Sequence, residues 1–374
     1  MAAATPQFSA DDEQRHYFIH AIKGIRTDVA KSALQKAIRR SDLTVALYYA
    51  AVMLASMLIA NLFNRLLVIA SEDVGPADDC AVEMVVAAYD RYLALREADK
   101  TGWRKLRNCQ ELREMVYAVV AYMCRAEKSR MCDHACVGTI CNVHDDPTTD
   151  PAPFSTEALR AALRARDLRE IMRQVGGVSK RYGSTVVIRS CLEAELLPNM
   201  HPAIDAARIF ADQHRRKSEK DKPFLQIAHA VYAICGIGRR GFDQKVPLTL
   251  APDARADMDA IYAELVDPAA PMRQEPDYAY DDLHVFRLRG TRVKKGAVRK
   301  FVIAERDALS PKSSLPDPFF EVAATDGAEA REMFREIKRK EAAAAAAIKR
   351  KRKPVLKPGE HLLNKIKLAR KKLP

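Results

Sequence analysis

Within thirteen residues the chain sets Cys132, His134, Cys136, Cys141 and His144, with Cys124 just upstream. Thiolates and imidazoles are the ligands Zn²⁺ takes, four to a tetrahedron. Cys132 and Cys136 are four apart and share a helix face, with Cys141 and His144 returning from the loop beyond. The spacing matches none of the common zinc patterns, and small thiols on a helix are ordinary core filler. No metal and no other cofactor is assigned. His16, His20, His201, His214 and His229 have no Ser or Cys partner at a catalytic spacing, and neither Gly-x-Ser-x-Gly nor His-Glu-x-x-His occurs. Nothing here proposes acid–base or nucleophilic chemistry, and the chain is expected not to be an enzyme.

Phosphate chemistry has two candidate sources. Leu66-Leu67-Val68-Ile69 followed by Glu72 and Asp73 imitates an apolar strand ahead of acids that hold a nucleotide's metal. A phosphate loop would have to accompany it, yet no Gly-x-x-x-x-Gly-Lys-Ser/Thr occurs and the dipeptide Gly-Lys is absent. Without that lysine and its glycine-rich cradle nothing holds β- and γ-phosphates, so Glu72 and Asp73 read as helix-end and turn residues. The stronger source is basic charge. The 374 residues hold 62 Lys+Arg against 49 Asp+Glu, a net of +13. Residues 331–374 hold 16 against 4, a net of +12, which leaves +1 for the rest.

Lys338, Arg339, Lys340 and then Lys349, Arg350, Lys351, Arg352 and Lys353 flank a run of six alanines. Lys365, Lys367, Arg370, Lys371 and Lys372 follow Pro358-Gly359. Clusters of this kind neutralise phosphates by counterion release, which is blind to sequence and sensitive to salt. These thirteen residues are the candidate nucleic-acid contacts, and a nuclear-import signal or a solvated tail has the same composition. Arg287, Arg289, Arg292, Lys294, Lys295, Arg299 and Lys300 offer a second basic patch.

Helices must position these groups. Apolar residues at three/four spacing predict helices over about 16–40, 43–55, 58–71, 77–97, 109–125 and 128–139, with Asp42 as a cap and Gly75-Pro76 as a stop. Residues 43–63 carry no charge and could just span a bilayer, but charged amphipathic helices flank them closely, so two buried helices are expected and no membrane. A Pro-rich break at 145–153 separates a second helical stretch at 155–240. Its residues Ala158-Leu159…Ala162-Leu163-Arg164-Ala165-Arg166-Asp167-Leu168 echo Ala33-Leu34…Ala37-Ile38-Arg39-Arg40-Ser41-Asp42-Leu43. Tyr117-Ala118-Val119 is echoed by His229-Ala230-Val231, and residues 65–75 by 188–199. Identity is weak and helical bundles echo by chance, so a duplication and a coincidence both fit. Residues 284–304 read as a small β-hairpin.

The first helical block resembles the C-terminal collar of the replication-associated recombination ATPases, clamp-loader-like AAA+ proteins. The residues that carry this run from Ser32 through Ala37-Ile38-Arg39-Arg40-Ser41-Asp42, then Ala46-Leu47-Tyr48-Tyr49-Ala50 to Leu54. They continue through Arg65-Leu66-Leu67-Val68-Ile69-Ala70-Ser71-Glu72-Asp73-Val74-Gly75-Pro76 to Arg125-Ala126-Glu127-Lys128-Ser129. The resemblance implies a helical self-association module, although that family's ATPase motifs are missing here. A shorter resemblance, Asp282-Leu283-His284 with Gly290, Gly296 and Phe301, is to a segment following such collars in some large DNA viruses, and it assigns no origin.

The expected architecture is mainly α: a collar-like multi-helix bundle at 12–144 and a second bundle at 154–240. A loop-rich region with the hairpin at 241–327 and a basic helical or disordered tail at 328–374 complete it. The expected function is a non-enzymatic, DNA-associated scaffold that forms homo-oligomers and binds nucleic acid through its tail. A structural nucleoprotein or virion component, and an accessory subunit of a separate AAA+ ATPase, are the alternatives. Eight cysteines without a paired spacing and no export signal point to a reducing intracellular location, nuclear or in a viral factory or virion.

Overall fold

A computed structural model describes residues 6–8, 20–98, 103–196, 202–214, 223–238, 248 and 252–276. The described residues are mainly α-helical, with one isolated bridge, between His20 and Arg26. The candidate hairpin at 284–304 and the whole basic tail lie outside them.

The first bundle comprises α1 (Thr27–Arg39), α2 (Leu43–Ala55), α3 (Ile59–Ile69), α4 (Cys80–Ala98) and α5 (Gln110–Arg125). Residues 16–19 of the helix expected over 16–40 lie outside the described residues; from His20 on, the α-helix begins at Thr27, because Lys23 and Gly24 adopt positive φ of 61° and 73° and turn the chain. Between α1 and α2, Ser41 is left-handed at φ 60°, and Asp42 N–H donates to Ala37 O at 2.9 Å. Asp42 Oδ1 then accepts from Val45 N–H at 3.2 Å and caps α2. Every residue from Ala46 to Ala55 on α2 is buried, so this helix is apolar all round. The uncharged run at 43–63 breaks at Met57, whose φ of 58° starts α3 in a new direction. Among the described residues no helix is long and apolar enough to cross a membrane.

The second bundle repeats this plan with α8 (Thr156–Ala165), α9 (Leu168–Tyr182), α10 (Val186–Leu196), α11 (Pro202–His214) and α12 (Phe224–Ile234). Between α8 and α9, Arg166 is left-handed at φ 53°, Asp167 N–H donates to Ala162 O at 3.2 Å, and Asp167 caps α9 through Glu170 N–H. These are the positions of the sequence echo, and their backbone is the same. The pairings recur as well. Helix α1 packs on α2 and α3, α2 on α3 and α5, and α4 on α5; α8 packs on α9 and α10, α9 on α10 and α12, and α11 on α12.

Two segments cross between the bundles. Residues 131–145 form α6 (Met131–Ala135), a wide helical turn over Cys136–Cys141 and α7 (Asn142–Asp145). The sequence groups them with the first bundle, but Met131, Cys132, Ala135, Cys136 and Ile140 bury themselves in the second core, against α9 and α12. Conversely, α13 (Pro252–Val266) packs on α2 and α5 of the first bundle. The region expected to be loops therefore contains a 15-residue helix. Its apolar Met258, Ile261, Tyr262 and Leu265 recur at three/four spacing and join the first core. Phe8, ahead of the expected first bundle, joins it too, edge-on to Tyr262 with ring centroids 6.4 Å apart.

The exchanged lid on the second bundle sits close. A Cβ built on Gly176 would lie 2.5 Å from the Ile140 carbonyl oxygen, and one on Gly177 2.0 Å from the Phe154 ring. Backbone cannot yield as a side-chain tip does, so Gly176→Ala is expected to lower stability by about 1–3 kcal/mol. Denaturant unfolding should show a lower midpoint; an unchanged midpoint would mean α9 does not press on the 136–141 turn.

Candidate functional site

The site with the densest polar chemistry is the turn that ends α3. Past Ile69 the helix widens over Ala70–Val74 and stops at Gly75. Gly75 has φ 53°, and a Cβ there would meet Ser129 O at 3.2 Å, so both conformation and crowding require glycine. One residue pair earlier, Asp73 O accepts from Ser129 N–H at 2.9 Å, which ties the turn to the start of α6.

Side chains fix the rest. Asp73 has no exposed surface and pairs with Arg39 of α1, while Gln35 Nε2 donates to its other oxygen at 2.9 Å. Arg65 supports Gln35 from behind, N–H to Oε1 at 2.8 Å. Arg39 also reaches Glu72 Oε1 at 2.9 Å, and Arg130 stands 3.7 Å from the same oxygen while pairing with Asp133. Burial works against the Arg39 cation, but the Asp73 and Glu72 charges outweigh it and hold its pKa above the ordinary value. Burial, with the charges of Asp73 and Asp133 added, pushes Glu72 up to about 7 against the pull of Arg130 and Arg39. The acids that imitate a nucleotide-metal pair are thus engaged by arginines. Among the described residues no group of three or more His, Cys, Asp or Glu could hold a metal ion.

On the other side of the same turn lies α12. His229, fully buried, places Nε2 2.8 Å from Asp79 Oδ1 and Nδ1 3.4 Å from Ser71 Oγ. Ser, His and Asp in this order suggest a nucleophile relay. Ser71 has no exposed surface, however, so no substrate carbonyl can reach its hydroxyl. The three residues join α12 to the first bundle, helped by Gln226 Nε2, which donates to Leu67 O at 3.4 Å, while Tyr232 OH donates to Met131 O at 3.1 Å within the second core. Sequence spacing missed the group because its members stand 158 and 150 residues apart. The one signal was a histidine where the echoed helix has Tyr117, on an otherwise apolar run.

The other sequence candidates fall differently. Cys136 and Cys141 come together, Sγ to Sγ at 3.6 Å, while Cys132 packs near Gly75 and the His144 ring lies edge-on to Phe224. These groups do not converge as a ligand set. All eight cysteines are free thiols. His16 and His201 lie outside the described residues, as do the thirteen candidate nucleic-acid contacts of the tail. Contrary to the expectation that no Gly-x-Gly-x-x-Gly occurs, Gly236-x-Gly238-x-x-Gly241 has the spacing of a dinucleotide-binding turn. That turn needs a strand before it, and here α12 precedes it. Gly236, at φ 71°, ends α12, and a Cβ on Gly238 would lie 3.1 Å from Pro76 O.

Two consequences can be measured. Arg39→Ala leaves Asp73 buried without its cation, which is expected to cost about 3–5 kcal/mol of folding stability in denaturant melts. Glu72 binds its proton more tightly in the folded chain than in the unfolded one, where it titrates near 4.5. Stability from Glu72 is therefore full below pH 4.5 and falls as pH rises through about 7, by an amount on the order of 1–3 kcal/mol. Glu72→Gln should flatten stability across that window; an unchanged pH slope would assign it to another group.

Residues 40–163 match the family described as MgsA AAA+ ATPase C terminal, about a third of the chain. The match runs from the end of α1 into α8 and contains the whole Ser71–Gly75 turn. This stretch is similar to the C-terminal domain of that AAA+ ATPase type, in agreement with the collar resemblance read from the sequence. No curated protein and no solved structure matches the chain.

Proposed function

We propose that an AAA+-type C-terminal helical domain serves here as a non-enzymatic scaffold that self-associates and holds nucleic acid through its basic tail. The observation that carries this reading is the segregation of charge: a net of +12 in residues 331–374 beside +1 in the rest. A polyanion feels that tail over a Debye length, whereas the near-neutral body attracts it little at range. The non-enzymatic part rests on the missing phosphate loop and on acids already engaged by Arg39 and Arg130. Oligomers would multiply weak tail contacts by raising their effective concentration. The family match also favours a second reading, docking on a separate AAA+ ATPase. In that case the protein should co-purify with an ATPase.

The full-length protein is expected to bind duplexes of unrelated sequence with similar affinity. Log affinity should fall with log salt by about 0.9 per phosphate neutralised. Replacing Lys349, Arg350, Lys351, Arg352 and Lys353 with alanine should reduce that slope by several units, to an upper bound of about 4.5. Binding that ignores both salt and these residues would overturn the tail's role. ATP hydrolysis that tracks the protein through ion exchange would overturn the non-enzymatic reading. Self-association is read by light scattering on the intact chain, since Tyr48 and Met53 are core residues and charges there would unfold it.

A further inference from the structure

The two helical hairpins share a backbone and differ in what they present to solvent. At positions 35, 39, 41 and 44 the first carries Gln35, Arg39, Ser41 and Thr44; the second carries Arg160, Arg164, Arg166 and Arg169 at the corresponding places. Gln35 is buried and Arg39 is engaged by Glu72 and Asp73. All four arginines of the second hairpin are exposed. The acid pair facing Arg39 has shrunk to Glu195, 3.6 Å from an Arg164 side chain that is 68% exposed. Among the described residues no ion pair joins Arg160, Arg166 or Arg169 to a carboxylate.

Charge is therefore concentrated on this element. Residues 155–182 hold seven Lys/Arg against three Asp/Glu, a net of +4 within a body whose total is +1. The position of Arg166 is telling. Its φ of 53° suits glycine or asparagine, yet it carries a long guanidinium at the tip of the hairpin. Arg160 and Arg164 are one turn apart on α8, about 6 Å along its axis, and Arg169 lies in the first turn of α9. Guanidinium forks are more weakly hydrated than ammonium groups and meet phosphate oxygens two at a time. Exposed arginines on a rigid hairpin, with Arg164 held only by a long contact to Glu195, are suited to that ligand.

We propose that the exposed arginines Arg160, Arg164, Arg166 and Arg169 at the α8–α9 turn form a folded phosphate-binding surface that grips the nucleic-acid backbone in addition to the tail. This rests on the nucleic-acid reading above and adds a structured contact to it. In the first bundle the same hairpin is spent on internal packing, so the second bundle faces the ligand.

The test uses the full chain with Arg160→Gln, Arg164→Gln, Arg166→Asn and Arg169→Gln combined. A partner variant has lysine at all four positions. Fluorescence anisotropy on duplexes of unrelated sequence gives log affinity against log salt. The neutral variant is expected to lose up to about 3.6 units of slope, at about 0.9 per phosphate, while the lysine variant keeps it. Circular dichroism must show the helical content of both variants unchanged; a helical loss with retained slope would also count against the face. A slope unchanged in the neutral variant, with the alanine tail variant flattened in parallel, sinks the hairpin surface and leaves the tail reading standing. Failure of the unaltered protein to bind duplex sinks both. Loss of binding to phosphatidylserine vesicles in the neutral variant, with duplex binding intact, would assign the face to lipid and overturn the proposal.

Discussion

Asp73 is a carboxylate with no surface in water, and the surrounding structure must neutralise it in place. Arg39 supplies the charge, which fixes the end of α1 against the end of α3. Gln35 and Arg65 satisfy what remains. Glu72 extends the node to Arg130, and through the Asp73 carbonyl and Ser129 the same turn sets where α6 begins. Because α6 belongs to the second core, the turn that holds the buried acid also ties one bundle to the other. Ser71, His229 and Asp79 close the opposite side of that joint.

A repeated hairpin with its capping aspartate shows how one local motif can be put to two uses. Asp42 and Asp167 cap α2 and α9 by the same bond, and the residues ahead of them turn left-handed in both. In the first copy α2 is enclosed on all sides and the arginine turns inward to an acid pair. In the second, α9 keeps one face in water and its arginines stay outside. The ion pair of Arg164 with Glu195 is what the Arg39–Glu72 contact becomes when burial is removed. A pair of that kind in water contributes little to stability, on the order of 0–1 kcal/mol.

Much of this was legible in the sequence where the signal was local. Asp42 as a cap, the stop at Gly75-Pro76 and the split of the uncharged run into two helices follow from residue types within a few positions. The α12 histidine and the anchoring of Phe8 depend on partners a hundred or more residues away, and no spacing rule reaches that far; segment 131–145 meets α9 across the Pro-rich break that reads as a boundary. Helix α13 has a local signal, because Met258, Ile261, Tyr262 and Leu265 carry the periodicity, but Pro- and Asp-rich surroundings mask it as loop. The cysteines of 132–141 are a local signal of another kind, read as ordinary core filler. Cysteines at helical spacing share a face, yet that face is turned into a core.

The crossing of the two lids also bears on how the chain is made. The first bundle is nearly complete when α5 leaves the ribosome, but its α2–α5 face stays open until α13 has been synthesised, about 140 residues later. At about 5–20 residues per second that is roughly 7–28 s. During that interval the nascent chain exposes an apolar surface destined for Met258, Ile261, Tyr262 and Leu265, beside the uncharged α2. A helix holding that face until then would be a natural substrate for chaperones that grip emerging apolar segments, and the second bundle must fold while its partner is still unsealed.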